Sequence, residues 1–309
     1  MSELTRRALL ASTAAAVAAQ ALPALAAPHS FKHGDFDIMI VSDGHLVLPT
    51  SFLAPGSSPD ERALLLKAAG QTGDTYNSPT NVTLIRTGTD LILIDMGSGD
   101  RFMPSAGKLW DNLKAAGIDK SKITKVIFTH GHPDHLWGSV DELDDLMLPK
   151  AAFYVGSAEW DFWHGDNATR GLPSGRAGSV TGARRNYAAL KSHVKMFKPG
   201  DEIVTGLQVL ATPGHIQGHV SLALKGKNDL GGDGLIVGGD VLTHPLISFM
   251  HPEWRPVADH VPDQAVTTRK MLLDRLASDR SKLIGFHLPY PGLGHVERVG
   301  LAYRFTSAG

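Results

Sequence analysis

The stretch Thr129-His130-Gly131-His132-Pro133-Asp134-His135 decides the fold. It places three imidazoles and a carboxylate within six residues. It follows Lys125-Val126-Ile127-Phe128, an apolar run that reads as a buried strand. Neutral imidazole and carboxylate are zinc-type ligands. A loop at a strand end aims alternate side chains into one pocket. His130 and His132 can then serve one ion, while Asp134 and His135 point to a neighbouring one.

Three later segments end in the same way. Leu210-Ala211-Thr212-Pro213-Gly214-His215 is a strand, a tight turn and a histidine. Ile236-Val237-Gly238-Gly239-Asp240 is a buried strand ending in a carboxylate. Leu283-Ile284-Gly285-Phe286-His287 is a buried strand ending in a histidine. Each is weak alone, but together they complete a two-metal set. Composition agrees. The chain has 15 histidines and no cysteine. Disulfides, thiolate zinc sites, cysteine-ligated clusters and cysteine nucleophiles are thereby excluded. Any metal chemistry must use His and carboxylates.

This set resembles the metallo-β-lactamase superfamily, whose H-x-H-x-D-H motif matches His130, His132, Asp134 and His135. The resemblance runs from about Asp37 to about Val296. It implies an α/β fold, a single-domain αββα sandwich over residues 27–309, with metals at one edge of two sheets. It places His130, His132 and His215 on a first ion and Asp134, His135 and His287 on a second, with Asp240 bridging both. Two divalent ions, with zinc expected, would hold a hydroxide as nucleophile. Asp134 and Asp240 would position it and accept protons. Asp95, in Leu93-Ile94-Asp95-Met96-Gly97, matches an early Asp-x-Gly turn that supports the site without binding metal. His219 is left out of the ligand set as a buried hydrogen-bonding residue. His244, His251 and His295 are left out too, although His244 is close enough in sequence to reach the pocket.

The segment Gly285-Phe286-His287-Leu288-Pro289-Tyr290-Pro291-Gly292-Leu293-Gly294-His295 resembles the methyl parathion hydrolase branch, which is similar to quorum-quenching lactonases. The implied reaction is hydrolysis of an apolar ester, lactone or phosphotriester. Lactonases of this kind carry a Tyr after the bridging Asp, and Val241 to Trp254 contains none, which favours an esterase or phosphotriesterase. Candidate wall residues are Trp160, Phe162 and Trp163; Leu48, Phe52 and Leu53 in a loop; and Phe249, Met250 and Trp254. A β-lactam hydrolase is the alternative. It would need a cation for the substrate carboxylate, and Arg170, Arg176, Arg184 and Arg185 are the candidates. A non-catalytic periplasmic metal-binding protein is a third reading, opposed by the filled ligand set.

The remaining sequence sets the context. The chain has 309 residues, 42% of them hydrophobic and 20% charged, which is ordinary globular composition. A formal net charge of -1 gives no global attraction to nucleic acid or anionic lipid. The expected partner is a small-molecule substrate, with no nucleic acid and no membrane after signal removal, and with a homodimer implied by resemblance. Residues 1–26 read as a signal peptide of twin-arginine type. Arg6-Arg7 leads an Ala-rich run, and Ala24-Leu25-Ala26 is a cleavage site. Periplasmic or secreted localisation follows. Strands are expected at Asp37–Val41, Val82–Ile85, Leu91–Ile94, Ala152–Val155, Leu207–Ala211, Val220–Leu224, Leu235–Gly238 and Lys282–Phe286. Helices are expected at Pro104–Ala116, Ser157–His164, Arg184–Val194 and Asp263–Ala277. Gly165 to Gly182, rich in Gly, Ser and Arg, reads as a long loop.

Overall fold

A computed structural model describes residues 27–308, apart from 54, 69, 72, 170–176 and 227–233. The expected signal segment lies outside the described residues. No described helix is long and apolar enough to cross a membrane.

Alternation of side chains along the strands builds the molecule. The first sheet contains β1 (His29–His33), β2 (Phe36–Pro49), β3 (Thr75–Thr87), β4 (Asp90–Ile94), β5 (Lys125–Ile127), β6 (Ala152–Gly156) and β7 (Val194–Phe197), in that spatial order. The second contains β8 (Glu202–Val204), β9 (Leu207–Ala211), β10 (Val220–Leu224), β11 (Leu235–Val237), β12 (Lys282–Ile284), β13 (Leu293–Val299) and β14 (Ala302–Ser307), again in sequential order. Ile85, Ile92, Ile94 and Ile127 of the first sheet pack against Leu207, Leu222, Leu224, Val237 and Ile284 of the second. The intervening residues Leu84, Leu91, Leu93 and Val126 face outward. They meet α2 (Leu109–Ala115), α4 (Ser157–His164) and α5 (Ala177–Leu190), while Leu66 of α1 (Pro59–Ala68) packs with Leu53 and Tyr76. On the far side, Ile236 and Leu283 bury against Leu272, Leu273 and Leu276 of α7 (Pro262–Asp279). The layers are helix, sheet, sheet, helix in one domain, as expected.

Two features put a site at one edge. Strands β4 and β5 run parallel, as do β11 and β12, so the chain leaves both strands of each pair at the same end. Strands β2 and β3 are also longer than expected, at 14 and 13 residues. Their pairing continues past a bulge between Ser42 and His45, with Leu46 opposite Ser78 and Leu48 opposite Tyr76. Asp43, inside the bulge, accepts backbone hydrogen bonds from Ser98 and Leu109 at 2.8 Å each. It thus ties the extended ribbon to the loop after β4.

Several expected boundaries move. The helix read from Pro104 begins at Leu109. The Gly165–Gly182 loop gives way to α5 from Ala177, seven residues before the expected start at Arg184. Its buried Val180, Ala183, Tyr187 and Leu190 keep helical spacing. Gly182 obscures that pattern, and it is there for close packing. A Cβ at this position would lie 2.1 Å from the Trp137 ring. Leu48 lies in strand β2 rather than a loop.

Candidate metal centre

The chain leaves β5 through Phe128 and Thr129 into the histidine cluster. Pro133 then starts the one-turn helix α3 (Pro133–Leu136), with His132 at its N-cap. That turn carries Asp134 and His135 back toward the same point as His130 and His132. Gly131 is required here. A Cβ would lie 2.5 Å from Trp163 Nε1 and 2.8 Å from Tyr187 Oη. Its N–H donates to the buried Glu159 carboxylate at 2.6 Å, and Trp163 Nε1 donates to the same oxygen. Burial raises the Glu159 pKa to about 7.

All seven ligand candidates converge. His130, His132, His215 and Asp240 form one buried quartet; Asp134, His135, Asp240 and His287 form a second. Within each, the donor atoms all lie within 4.8 Å of one another. His132 Nδ1 stands 3.0 Å from His130 Nε2 and 2.9 Å from His215 Nε2. Asp240 Oδ2 is 3.2 Å from both His215 Nε2 and His287 Nε2, and its Oδ1 is 3.1 Å from His135 Nε2. Asp134 Oδ2 is 3.3 Å from His287 Nε2.

The outer nitrogens explain the orientation. Each imidazole has a partner on the side away from the cluster, which fixes its tautomer and turns a lone pair inward. His135 Nδ1 donates to Asp95 at 2.8 Å, and His215 Nδ1 donates to Asp259 at 3.0 Å. His287 Nδ1 donates to the Pro79 carbonyl at 2.8 Å. His130 Nδ1 meets Thr129 Oγ1 at 3.1 Å, and His132 Nε2 meets His260 Nε2 at 3.4 Å. Asp95 holds a left-handed φ of 63° and also accepts from the Thr129 N–H and hydroxyl, at 2.8 Å each. It supports His135 from behind, as the Asp-x-Gly resemblance implied.

The inner face fits metal ions. Asp134 Oδ2, His135 Nε2 and Asp240 Oδ1 are buried and, although close to one another and to His287 Nε2, make no well-aligned hydrogen bond within the protein. Burial works against charge on His135 and His287. The Asp240 and Asp134 carboxylates outweigh it, raising both pKa values, that of His287 to about 10. Burial and the neighbouring His135 push His130 the other way, well below the usual range. Carboxylates that draw protons onto buried imidazoles are carboxylates without a permanent cation, which a divalent ion would supply.

The other histidines separate cleanly. His219 Nε2 accepts the Asp240 N–H at 2.9 Å, while its Nδ1 donates to the Thr212 carbonyl at 3.1 Å. It holds the backbone of the shared aspartate and belongs to neither quartet. Gly239, at φ 54°, leaves it room: a Cβ there would sit 2.6 Å from His219 Nε2. His244 stands behind the cleft. Its Nδ1 accepts from the N–H groups of Leu246 (3.2 Å) and Ile247 (3.1 Å), at the start of the short helix α6 (Ile247–Met250). His251 lies on the Trp254 ring, 4.3 Å between centroids, and His295 is in β13.

His244 predicts a pH effect. Burial lowers its pKa to about 4. The unfolded chain therefore binds the proton first. Stability is complete above about pH 6.5 and falls by on the order of 3 kcal/mol as the pH drops toward 4. In His244→Asn the amide oxygen can replace Nδ1 as acceptor. Its urea midpoint is expected to vary less than that of the wild type between pH 6.5 and 4. An identical slope in both proteins would refute the assignment.

A cleft of about 250 Å³ opens over the quartets. Leu46, Leu48, Phe52, Leu53, Tyr76, Phe102 and Met103 form much of its wall, and Pro256, Ala258 and His260 close it. Of the expected wall, Leu48, Phe52 and Leu53 are there. Trp163 and Phe249 are instead core residues, Trp160 stacks on His164, and Phe162 sits against His260 from behind the lining. Met250 is exposed, and Trp254 packs on His251. Tyr76 was missed because it lies far from Asp240 in sequence, and its signal, a tyrosine two positions before Ser78 on one strand face, has meaning only once β3 is known to reach the site. Burial, then Asp240 and Asp134, raise its pKa above the usual phenol range. Asp259 and His260 were missed for the same reason.

Among the described residues no Lys or Arg lines the cleft. Arg184 is bound to the carbonyls of Trp163 and Gly165, and Arg185 pairs with Asp144. Arg170 and Arg176 lie outside the described residues. The cation needed for a β-lactam carboxylate is therefore not found among the described candidates.

Known proteins resemble this chain. The sequence profile of the metallo-beta-lactamase superfamily matches residues 75–287. The Bacillus subtilis protein named probable metallo-hydrolase YflN is 27% identical over 212 residues, covering 65% of this chain and 76% of its own. The solved structure of AidC, a dizinc quorum-quenching lactonase with the product of its reaction, superposes with a TM-score of 0.85 at 25% identity, covering 92% of this chain and 98% of AidC. The hydrolase AbOPH gives a TM-score of 0.83 at 28% identity, with the same coverage. With its profile match spanning most of the chain, its two-sheet fold and its paired His/Asp clusters, this protein belongs to the metallo-beta-lactamase superfamily and is a metal-dependent hydrolase.

Proposed function

We propose that this chain is a binuclear hydrolase of neutral, apolar esters, lactones or phosphotriesters. One observation carries the reading: two quartets share Asp240 at the floor of an apolar cleft with no described cation in its wall. The neighbours support it, since AidC is described as a dizinc lactonase and AbOPH as a hydrolase. The methyl parathion hydrolase branch remains part of this proposal.

His130, His132 and His215 would hold one ion, Asp134, His135 and His287 the other, and Asp240 both. When bound, such a pair supplies Lewis acidity toward a carbonyl or phosphoryl oxygen and acidifies water. The protein's own groups do the rest. Leu46, Leu48, Phe52 and Met103 would bind the apolar arm of the substrate and exclude water around the reacting bond. Asp134 and Asp240 would take up the proton released as water attacks.

Tyr76 would donate its hydroxyl hydrogen bond to the substrate oxygen that gains charge. Its raised pKa keeps it protonated at neutral pH. It brings to the cleft from β3 the phenol that no residue after Asp240 provides, which supports keeping lactones beside esters and phosphotriesters. Tyr76→Phe is expected to lower kcat by about 10²-fold with little change in KM. An unchanged kcat would remove this role.

The direct test is a substrate panel on zinc-loaded protein: a p-nitrophenyl ester, an acyl-homoserine lactone, a dialkyl aryl phosphotriester and a cephalosporin. Turnover of at least one neutral member, lost in His132→Ala, is expected. The anionic cephalosporin should be the poorest substrate. Preference for the cephalosporin, or turnover that survives in His132→Ala, would overturn the reading.

A further inference from the structure

Two neighbouring residues belong to neither quartet yet act on one of them. Asp259 Oδ1 accepts from His215 Nδ1 at 3.0 Å. The next residue, His260, meets His132 through its Nε2 at 3.4 Å, and its backbone N–H donates to the His215 carbonyl at 3.0 Å. Val261 N–H donates to the Gly214 carbonyl at 2.9 Å. One short segment therefore buttresses two of the three histidines in the first quartet. The outer nitrogens of His135 and His287, in the second quartet, are held by Asp95 and the Pro79 carbonyl.

Arg269, on α7, locks this segment. The guanidinium is buried, at 2% exposure. Its Nη2 donates to Asp259 Oδ2 at 2.7 Å. Its Nη1 donates to the carbonyls of Pro252 (3.1 Å) and Trp254 (2.9 Å), and its Nε to that of Val241 (3.0 Å), next to Asp240. A planar fork with fixed donors suits such a junction, and a lysine could satisfy only part of it. The same segment supplies Pro256, Ala258 and His260 to the cleft wall.

We propose that Asp259 and His260, locked by Arg269, are the positioning residues of the His130/His132/His215 quartet, so that filling of this quartet depends on the cleft wall while filling of the other does not. This inference rests on the binuclear reading above. Its chemistry is orientation. Asp259 and His260 hold the outer nitrogens so that the inner lone pairs meet before an ion arrives.

The test is zinc titration of the apoprotein against a chromophoric chelator. Wild type is expected to bind two equivalents. Asp259→Asn should weaken one equivalent by about 10–100-fold and leave the other unchanged, and Arg269→Lys should weaken that same equivalent. Asp95→Asn should weaken chiefly the other one, since Asp95 reaches the first quartet only through Thr129. In a His215→Ala background, Asp259→Asn should add less than about twofold, because the arm through which it acts is gone. A merely structural role would weaken binding equally in both backgrounds, and that outcome would overturn the proposal. So would unchanged affinities in Asp259→Asn with two equivalents bound. If Arg269→Lys does not fold by circular dichroism, Asp259→Asn and the double variant decide alone. A wild type that binds no zinc would instead sink the binuclear reading and this inference with it.

Discussion

Replacing Asp240 with Ala is expected to lower kcat/KM on the best neutral substrate by about 10³-fold or more, since removing even a single well-placed donor from an active site costs about 10²–10³. Asp240 is the one residue common to both quartets, and its two oxygens reach His135, His215 and His287 at 3.1–3.2 Å. Its loss would therefore affect both ions of the proposed pair. Loss of His287, from the second quartet alone, leaves the three-histidine quartet intact and is expected to cost less. The comparison is kinetic: kcat/KM for wild type, Asp240→Ala and His287→Ala at saturating zinc, with zinc content measured on each. A drop of less than tenfold in Asp240→Ala would mean that the shared carboxylate is not central to the chemistry.

Stripping the metals is expected to lower the melting temperature by at least about 10 °C. An ion that binds only the folded chain stabilises it by about 4 kcal/mol at a thousand times its Kd. Each kcal/mol is worth roughly 2–4 °C for a domain of this size. The site gives a specific reason for the effect. Its carboxylates and imidazoles are buried, and Asp134, His135 and Asp240 each have an inner atom that makes no well-aligned hydrogen bond. Melting scans after chelator treatment, then after zinc is restored, would read the shift and its reversal. Asp240→Ala should lose most of the zinc-dependent rise. Equal melting temperatures with and without zinc would show that the buried cluster is self-sufficient.

The sequence by itself determined the ligand candidates and the fold class. The physical reason is local. His130 to His135 are neighbours along the chain, and His215, Asp240 and His287 each follow an apolar strand, so chemistry and pattern can be read in one window. Cysteine's absence narrowed the donors further. Tertiary structure alone decided the cleft and the supports. Tyr76 and Ser78 reach the site because β2 and β3 continue past a bulge, which a polar run such as Thr75-Tyr76-Asn77-Ser78 does not reveal. Arg269 reads as one more charge on a helix until α7 packs it, 2% exposed, against Asp259. Trp163 reads as a wall residue until burial shows it beside Glu159 and Gly131. Ligating groups are limited to few residue types and sit at strand ends. The residues that orient them and shape the cleft can be almost any type, from any segment the fold brings near, and only long-range packing selects them.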